Sequence, residues 1–386
     1  MDALEIILNS VFERTRDDVT KQYIKNNPFY ILCFIFGLRE PKVEAYLIML
    51  KNIVLMKVYI KSIASYIPEN KLTNEEVTKK INDNDYPLKA GLLDALIGPC
   101  ERHYADKDEQ ASDLAAAAAM KLLKDIDPKE IDLLIFASAS ADLIEPATSN
   151  IVQHKLGLSC STFDMKNTCN SVANAIDVAC AMIHSGLHKR VLIASGEKPS
   201  DSVRYKGLNK ENIIRHLAPF SFGDAGVALL LEADEKGEKG FFYQKNMSFG
   251  QYWDLCQVPG GGSMHPNDGS KLFFEGDSFQ LQEKGKTHGS PFLFKCLEEA
   301  GLTMDDIDFI CPHQVSKQMP KYINELTQIG LDKIMHTFPR FGNTASCSMP
   351  IAYEQALLEG KVKSGDTVLL LGMAAGINIS VQFMIV

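Results

Sequence analysis

The segment Pro128-Lys-Glu-Ile-Asp-Leu-Leu-Ile135 returns as Met304-Asp-Asp-Ile-Asp-Phe-Ile310, with Ile307 in the place of Ile131. The run Arg190-Val-Leu-Ile-Ala-Ser-Gly196 returns as Thr367-Val-Leu-Leu-Leu-Gly372, with Val368 in the place of Val191. An offset that holds over both landmarks, to within a single position, predicts duplicated halves, about 57–235 and 240–386. A helix-type run precedes each copy of the first landmark, Ser112 to Leu123 and Ser290 to Ala300, so each half reads as strands joined by right-handed helical crossovers. Ile131 to Ala137 is too short for a helix and suits a strand covered on both faces. The expectation is a layered α/β protein, and 386 residues of which 46% are apolar supply core for both halves. Net charge is −9 with Lys and Arg spread along the chain, which argues against nucleic acid as a partner.

The repeating body begins at Lys57-Val-Tyr-Ile-Lys-Ser-Ile-Ala-Ser-Tyr66, an alternating strand pattern, and Thr73-Asn-Glu-Glu opens a capped helix. Residues 1–56 stand outside it. Their apolar runs, Phe29 to Phe36 and Ala45 to Leu50, fall short of the ~20 residues of a membrane helix, so no transmembrane segment is expected. The charge-rich stretch before them does not fit a secretory signal. Three readings stay open: a helix packed on the body, one lying on a membrane surface, or upstream sequence read from Met1 instead of Met56. The nine cysteines (33, 100, 160, 169, 180, 256, 296, 311, 347) are odd in number and never spaced C-x-x-C, which predicts a reduced, cytoplasmic protein without a structural metal.

The chemistry centres on Asn167-Thr-Cys169-Asn-Ser, which leads into a helix expected from Ser171 to Ser185 and closed by Gly186. Val172, Ala173, Ile176, Ala179 and Ile183 spread over nearly all its faces, the mark of a buried helix. A thiol at its mouth faces free N–H groups and the positive end of the macrodipole, which favour thiolate. Cys169 is then either a nucleophile or a small core hydrophobe. Under the repeat it maps near residue 345, so Phe341-Gly-Asn343-Thr-Ala-Ser is its partner turn, and two helix N-termini converge between the halves. His313, after Cys311-Pro312, ends a strand on the side where α/β sheets bind ligands. Phe222-Gly-Asp-Ala-Gly226 is expected as a tight strand-to-strand turn, and Leu371-Gly-Met-Ala-Ala-Gly376 carries no phosphate-binding fingerprint.

Asn167-Thr-Cys169-Asn, Pro312-His313-Gln314, Gly342-Asn343-Thr344 and the Gly376 loop, in that order, resemble the thiolase superfamily, specifically its β-ketoacyl-acyl-carrier-protein synthase III-like condensing enzymes. Ser65-Tyr-Ile-Pro-Glu, Glu101-Arg-His103 and Gly360-Lys-Val-Lys-Ser-Gly-Asp extend the likeness over about 57–386. The resemblance implies a duplicated five-layered αβαβα thiolase-like fold, a homodimer, and acyl carrier protein as partner. It implies no cofactor, since acyl and malonyl thioesters of coenzyme A or acyl carrier protein are the substrates. Cys169 would take the acyl group of a primer. His313 and Asn343 would hold the carbonyl of a malonyl extender as CO2 leaves, and the backbone N–H groups of Cys169 and Gly376 would form the oxyanion hole.

Departures refine this. Ahead of Glu101, where relatives grip the adenine of coenzyme A with tryptophan and arginine, the chain has no tryptophan and carries Cys100 at the arginine's place, which points to a carrier-bound primer. After the histidine, Ser316 and Gln318 replace the usual asparagine and basic residue, and Met373-Ala-Ala-Gly376 keeps only the last of its glycines. Asp142-Leu-Ile-Glu145-Pro146 is similar to the segment that carries a base in the head-to-head condensing enzymes of olefin synthesis, which join two acyl thioesters without decarboxylation. Glu145 is therefore a candidate base or a solvated loop residue. Acyl transfer to an alcohol or amine, a catalytically quiet carrier-binding subunit, and a papain-like hydrolase are the remaining alternatives, the last lacking a Cys-Gly-Ser-Cys-Trp signature.

Overall fold

The computed structural model describes residues 56–386 except 85, 99 and 100, so the extension up to Val54-Leu55 and the Cys100 position lie outside the described residues. Nine strands form the main sheet: β1 (Lys57–Tyr66), β2 (Leu133–Ala137), β3 (Ser161–Met165), β4 (Arg190–Glu197), β5 (Ala225–Asp234), β6 (Gly240–Ser248), β7 (Phe309–Pro312), β8 (Thr367–Ala374) and β9 (Asn378–Ile385). They run in the order β7-β8-β9-β6-β1-β5-β4-β2-β3. That order reads the same from both ends once β1 is exchanged with β6, β5 with β9, β4 with β8 and β2 with β7. Ile334, in an isolated parallel bridge to Ile310, stands where β3 stands on β2. The two groups of strands meet through a single pair, Val58 with Phe241.

The strand register reproduces the sequence offset. Leu133 pairs with Val191 across β2 and β4, and Phe309 with Val368 across β7 and β8, so both partners move along the chain by the same step to within one position. One strand further the offset shrinks, since Val191 pairs with Leu231 but Val368 with Met384. The first half spends residues 198–224 between those strands, whereas the second turns within 375–377.

Seven helices matter to the site: α1 (Asn74–Asn82), α2 (Ala111–Leu122), α3 (Thr148–Leu156), α4 (Ser171–His184), α5 (Ser278–Ala300), α6 (Met319–Thr327) and α7 (Ser348–Leu358). Strand alternation sends Leu134 and Phe136 outward onto Ala115, Ala119 and Val152 of α2 and α3. It sends Ile310 and Leu369 onto Phe292, Leu297 and Ile323 of α5 and α6. The inward residues Leu133, Ile135, Phe309 and Leu370 share one core with Ile176 and Ala179 of α4 and Ile351 and Ala352 of α7. The result is five layers, αβαβα. Sandwiched between sheets, α4 is buried over most of its surface, with only Ala181 exposed and Asn174, Asp177, Val178, Met182 and His184 half-buried, which is why its sequence is apolar nearly all round.

The capped start at Thr73 is present, with the side chains of Thr73 and Glu76 bonding each other's backbone N–H. Helix α5 is longer than its expected start at Ser290. Pro291 reads as a first-turn residue, but the helix begins at Ser278, where the Asp277 carboxylate accepts from Gln280 N–H at 2.9 Å, and holds Pro291 inside.

Candidate active site

Strand β3 delivers the chain to a tight turn in which Asn170 N–H donates to Asn167 O (3.0 Å) and Ser171 N–H to Thr168 O (3.1 Å). Thr168 sits at φ +48°, an unfavourable conformation for a β-branched residue. Three further bonds hold it: Asn167 N–H to Ser171 Oγ (2.9 Å), Ser171 Oγ to Thr168 O (2.7 Å) and Asn167 Nδ2 to Asn174 Oδ1 (2.6 Å). Cys169 is thereby set half-buried just ahead of Asn170, the N-cap of α4. Burial pushes its thiol up to about 12, and the negative charge of Glu197 adds to this. The helix terminus, expected to favour thiolate, is outweighed by desolvation, so Cys169 rests as a thiol.

The partner turn in the second half has the same shape. Ala345 takes φ +47° at the position that answers to Thr168, and Ser346 occupies the place of Cys169.

His313 follows β7 and is fixed by its N–H donating to Leu371 O at 2.8 Å. Its ring is 3% exposed, and neither ring nitrogen has a hydrogen-bond partner. Burial lowers its pKa to about 4, so the ring is neutral at neutral pH. Beside it, Gln314 locks the loop, its N–H donating to Ser348 Oγ (3.0 Å) and its Oε1 accepting from the N–H groups of Thr337 (3.0 Å) and Phe338 (3.2 Å).

Asn343 is buried and held on both sides by backbone: its N–H donates to Ser221 O (2.8 Å) and its carbonyl accepts from Gly223 N–H (3.0 Å). Its Oδ1 accepts from Ala345 N–H at 3.0 Å, which leaves Nδ2 as the donor for a ligand. Phe222-Gly223-Asp224 is therefore not a turn between two strands, as expected. It runs beside Asn343 in a parallel bridge and then enters β5. A Cβ on Gly223 would lie 2.2 Å from Phe341 O, so glycine permits the approach. The Asp224 carboxylate ties this strip down, accepting from Ala105 N–H (2.9 Å), Ser200 N–H (3.1 Å) and Ser200 Oγ (2.6 Å), and burial raises its pKa to about 6.

Gly376 (φ +76°) lies in the short turn between β8 and β9. That hairpin presses on the nucleophile turn: Asn170 Nδ2 donates to Asn378 O (3.0 Å), and a Cβ on Gly372 would lie 2.4 Å from Asn170 Oδ1. Glu145 stands apart from these buried groups. It is exposed on a loop whose Leu143 and Ile144 are 51% and 87% exposed. A small apolar cavity of about 60 Å³ lies beneath α5 and α6. His313 forms part of its wall with Leu293, Met319, Leu371, Met373 and Ile379. Glu197, which no sequence pattern singled out, is fully buried near Cys169. Among the described residues no cluster of His, Cys, Asp or Glu could hold a metal ion, and no helix is long and apolar enough to cross a membrane.

Residues 163–248 match the family model of 3-oxoacyl-[acyl-carrier-protein] synthase III, and residues 297–384 match the model of its C-terminal part. The chain is 31% identical over 329 residues to β-ketoacyl-[acyl-carrier-protein] synthase III of Neisseria gonorrhoeae, covering 82% of this chain and 95% of that protein. The protein of the same name from Aliarcobacter butzleri is 32% identical over 330 residues, covering 82% and 94%. Among solved structures, OleA of Xanthomonas campestris is 26% identical and superposes with a TM-score of 0.78, covering 86% of this chain and 99% of that one. A cerulenin-bound OleA superposes with a TM-score of 0.76 at 26% identity, covering 86% and 97%.

Proposed function

Because the chain belongs to the β-ketoacyl-[acyl-carrier-protein] synthase III family of condensing enzymes, we propose that it loads an acyl group onto Cys169 and joins it to a malonyl thioester with loss of CO2. The observation that carries this is the pair of unpartnered nitrogens on the buried His313 ring. Leaving such a group unbonded costs about 1–3 kcal/mol, a cost that a substrate carbonyl relieves by accepting from the ring.

In the first step the Cys169 sulfur attacks the primer's thioester carbonyl, and the N–H groups of Cys169 and Gly376 receive the negative oxygen. The thiol proton leaves with the departing carrier thiol, so no charge stays buried. In the second step the neutral His313 ring and Asn343 Nδ2 donate to the malonyl thioester carbonyl. As the C–CO2 bond breaks, its electron pair is held as the enolate and then attacks the acyl-cysteine, expelling the Cys169 thiolate, which takes one proton from solvent. The neutral ring suits this: one of its nitrogens carries an N–H that can donate, and no charge has to be buried in the apolar surroundings that hold its pKa down. A carrier-bound primer and acyl carrier protein as partner fit the loss of the adenine-binding pair. Lys317, in the turn before α6, donates to Asp94 O at 3.4 Å, so that turn rests on the segment ahead of Glu101.

Incubation with acyl thioesters followed by intact mass should give an adduct that Cys169→Ala abolishes. No adduct on the wild-type chain at any chain length would sink the proposal. Labelled malonyl thioester should then release CO2 with product. The exposed Leu143 and Ile144 fit burial in a homodimer, which sedimentation tests.

The OleA structures fit a second reading, head-to-head condensation of two acyl thioesters with Glu145 as base. Product from acyl thioester alone, lost in Glu145→Ala, would favour it. Dependence on a malonyl thioester would rule it out.

A further inference from the structure

The chemistry above makes no use of the Glu197 carboxylate, although it is wholly buried where the two halves meet. Its Oε1 accepts from Ala139 N–H (2.8 Å) and Ser346 Oγ (2.5 Å), and its Oε2 from Ser140 N–H (3.3 Å) and Ser140 Oγ (3.0 Å). All four donors are neutral, and a carboxylate in such surroundings is costly to bury. Its partners make sense of its presence. Ser346 belongs to the second half, where it holds the place that Cys169 holds in the first and follows Asn343 by three residues. Ser346 Oγ also lies 3.0 Å from Ser195 Oγ, on the same strand as Glu197. Ala139 and Ser140 belong to the first half and root the loop that bears Glu145.

We propose that Glu197 is a positioning residue for the bond-forming step, tying the Asn343–Ser346 turn of one half to the 138–140 segment of the other. Asn343 is on a turn that contributes nothing to Cys169 directly, so its distance from the acyl-cysteine depends on what joins the halves at this point. One oxygen, Oε1, takes a donor from each side, Ala139 N–H and Ser346 Oγ, while Oε2 holds Ser140. A glutamine with its amide oxygen at the Oε1 place keeps both sides of the tie and gives up only the 3.3 Å bond from Ser140 N–H, whereas an alanine removes the tie altogether.

The inference rests on the proposed condensing activity, and separating the half-reactions keeps the two distinguishable. Acyl-Cys169 formation is followed by intact mass, and condensation is followed on pre-acylated enzyme with a malonyl thioester. We expect Glu197→Ala to acylate within about 3-fold of wild type while condensation kcat falls at least about 30-fold. The extender KM should stay within about 2-fold, because the bond from Asn343 strengthens as the enolate forms. Glu197→Gln, which can keep the Ala139 and Ser346 bonds on its amide oxygen, should restore most of the condensation rate. Ser346→Ala should lower condensation by about 5-fold, and should add little in the Glu197→Ala background because both residues belong to one unit. Equal losses in both half-reactions, or losses that multiply in the double variant, would overturn the proposal. Should Glu197→Ala not fold, Ser346→Ala decides: condensation at the wild-type rate refutes the tie, and a loss confined to condensation supports it. A wild-type chain that forms no acyl-cysteine would instead overturn the proposed function.

Discussion

Gly223→Ala tests whether the strip beside Asn343 positions that residue. The added methyl would lie 2.2 Å from Phe341 O and 3.4 Å from the Arg102 side chain. The carbonyl and the new carbon must part by about 1 Å to reach ordinary contact. The direction is constrained, because the Gly223 N–H bonds Asn343 O at 3.0 Å and Asn343 N–H bonds Ser221 O at 2.8 Å, two residues either side of the clash. Moving the strip by that amount breaks or stretches at least one buried backbone bond, costing about 1–3 kcal/mol. Overpacking adds about 1–3 kcal/mol, so the variant should lose about 2–6 kcal/mol of stability in denaturant titration. The catalytic effect should be larger in one half-reaction than the other. A misplacement of about 1 Å in a transition-state donor is enough for a loss of about 100-fold. Condensation by pre-acylated enzyme should show that loss, whereas loading of Cys169, whose turn is held by Asn167, Ser171 and Asn174, should stay within a few-fold of wild type. Condensation at the wild-type rate in a folded Gly223→Ala protein would refute the idea that the Phe222 strip holds Asn343.

Three further outcomes follow from burial at the site. The His313 pKa, depressed to about 4, means that only the unfolded chain binds this proton between about pH 6.5 and 4, so stability present above that window is lost as pH falls through it. Replacing His313 by Gln should remove about 3 kcal/mol of that acid loss in pH-dependent unfolding, and an unchanged acid slope would count against a neutral buried ring. Asp224 works in the opposite sense: with its folded pKa raised from 3.8 to about 6, its contribution is present below about pH 4 and is lost as pH rises through 6. Asp224→Asn should therefore be more damaging at pH 4 than at pH 7, by about 3 kcal/mol, and a pH-independent difference would disprove the shift. Finally, with its thiol pushed up to about 12, Cys169 should be alkylated by iodoacetamide at a rate that climbs steadily with pH to at least 10. A plateau near pH 7 would show a thiolate already formed.

The layered fold was legible in the sequence because parallel strands pair in fixed register. Leu133 to Val191 and Phe309 to Val368 are matched in length to within one residue, loops included, so the offset is visible there, and it fails only where 198–224 is answered by 375–377. Cys169 was legible for a local reason, as an apolar helix announces its own burial and the residues before it its mouth. The environment of the site was not. Whether Cys169 is thiol or thiolate depends on desolvation and on Glu197, which ends β4 and is close in space although all of α4 separates the two along the chain, and no periodicity reports that approach. The Phe222 strip looked like a turn because glycine serves turns and close approaches alike, and only the Phe341 carbonyl against Gly223 separates the two. Glu145 carries a sequence likeness to a base, yet stands on an exposed loop, since likeness of a segment says nothing about which side of the molecule it faces.

The duplication also explains why the site is lopsided. The two turns share a backbone shape, Thr168 at +48° and Ala345 at +47°, and each leads into a central helix. Two equivalent thiols at such turns would compete for the same buried space and the same acyl group. Here the first turn keeps a sulfur, while the second carries Ser346, whose hydroxyl is turned away to Glu197 and is thereby removed from chemistry. In the proposed chemistry the second half contributes donors instead, His313 from the end of β7 and Asn343 from the turn itself. The asymmetry extends to the loops: the 198–224 segment of the first half braces Asn343 of the second through Ser221 and Gly223, whereas the 375–377 turn of the second braces the nucleophile turn of the first through Asn378. Each half is thus positioned by a segment of the other, so neither copy of the repeat could hold this arrangement alone.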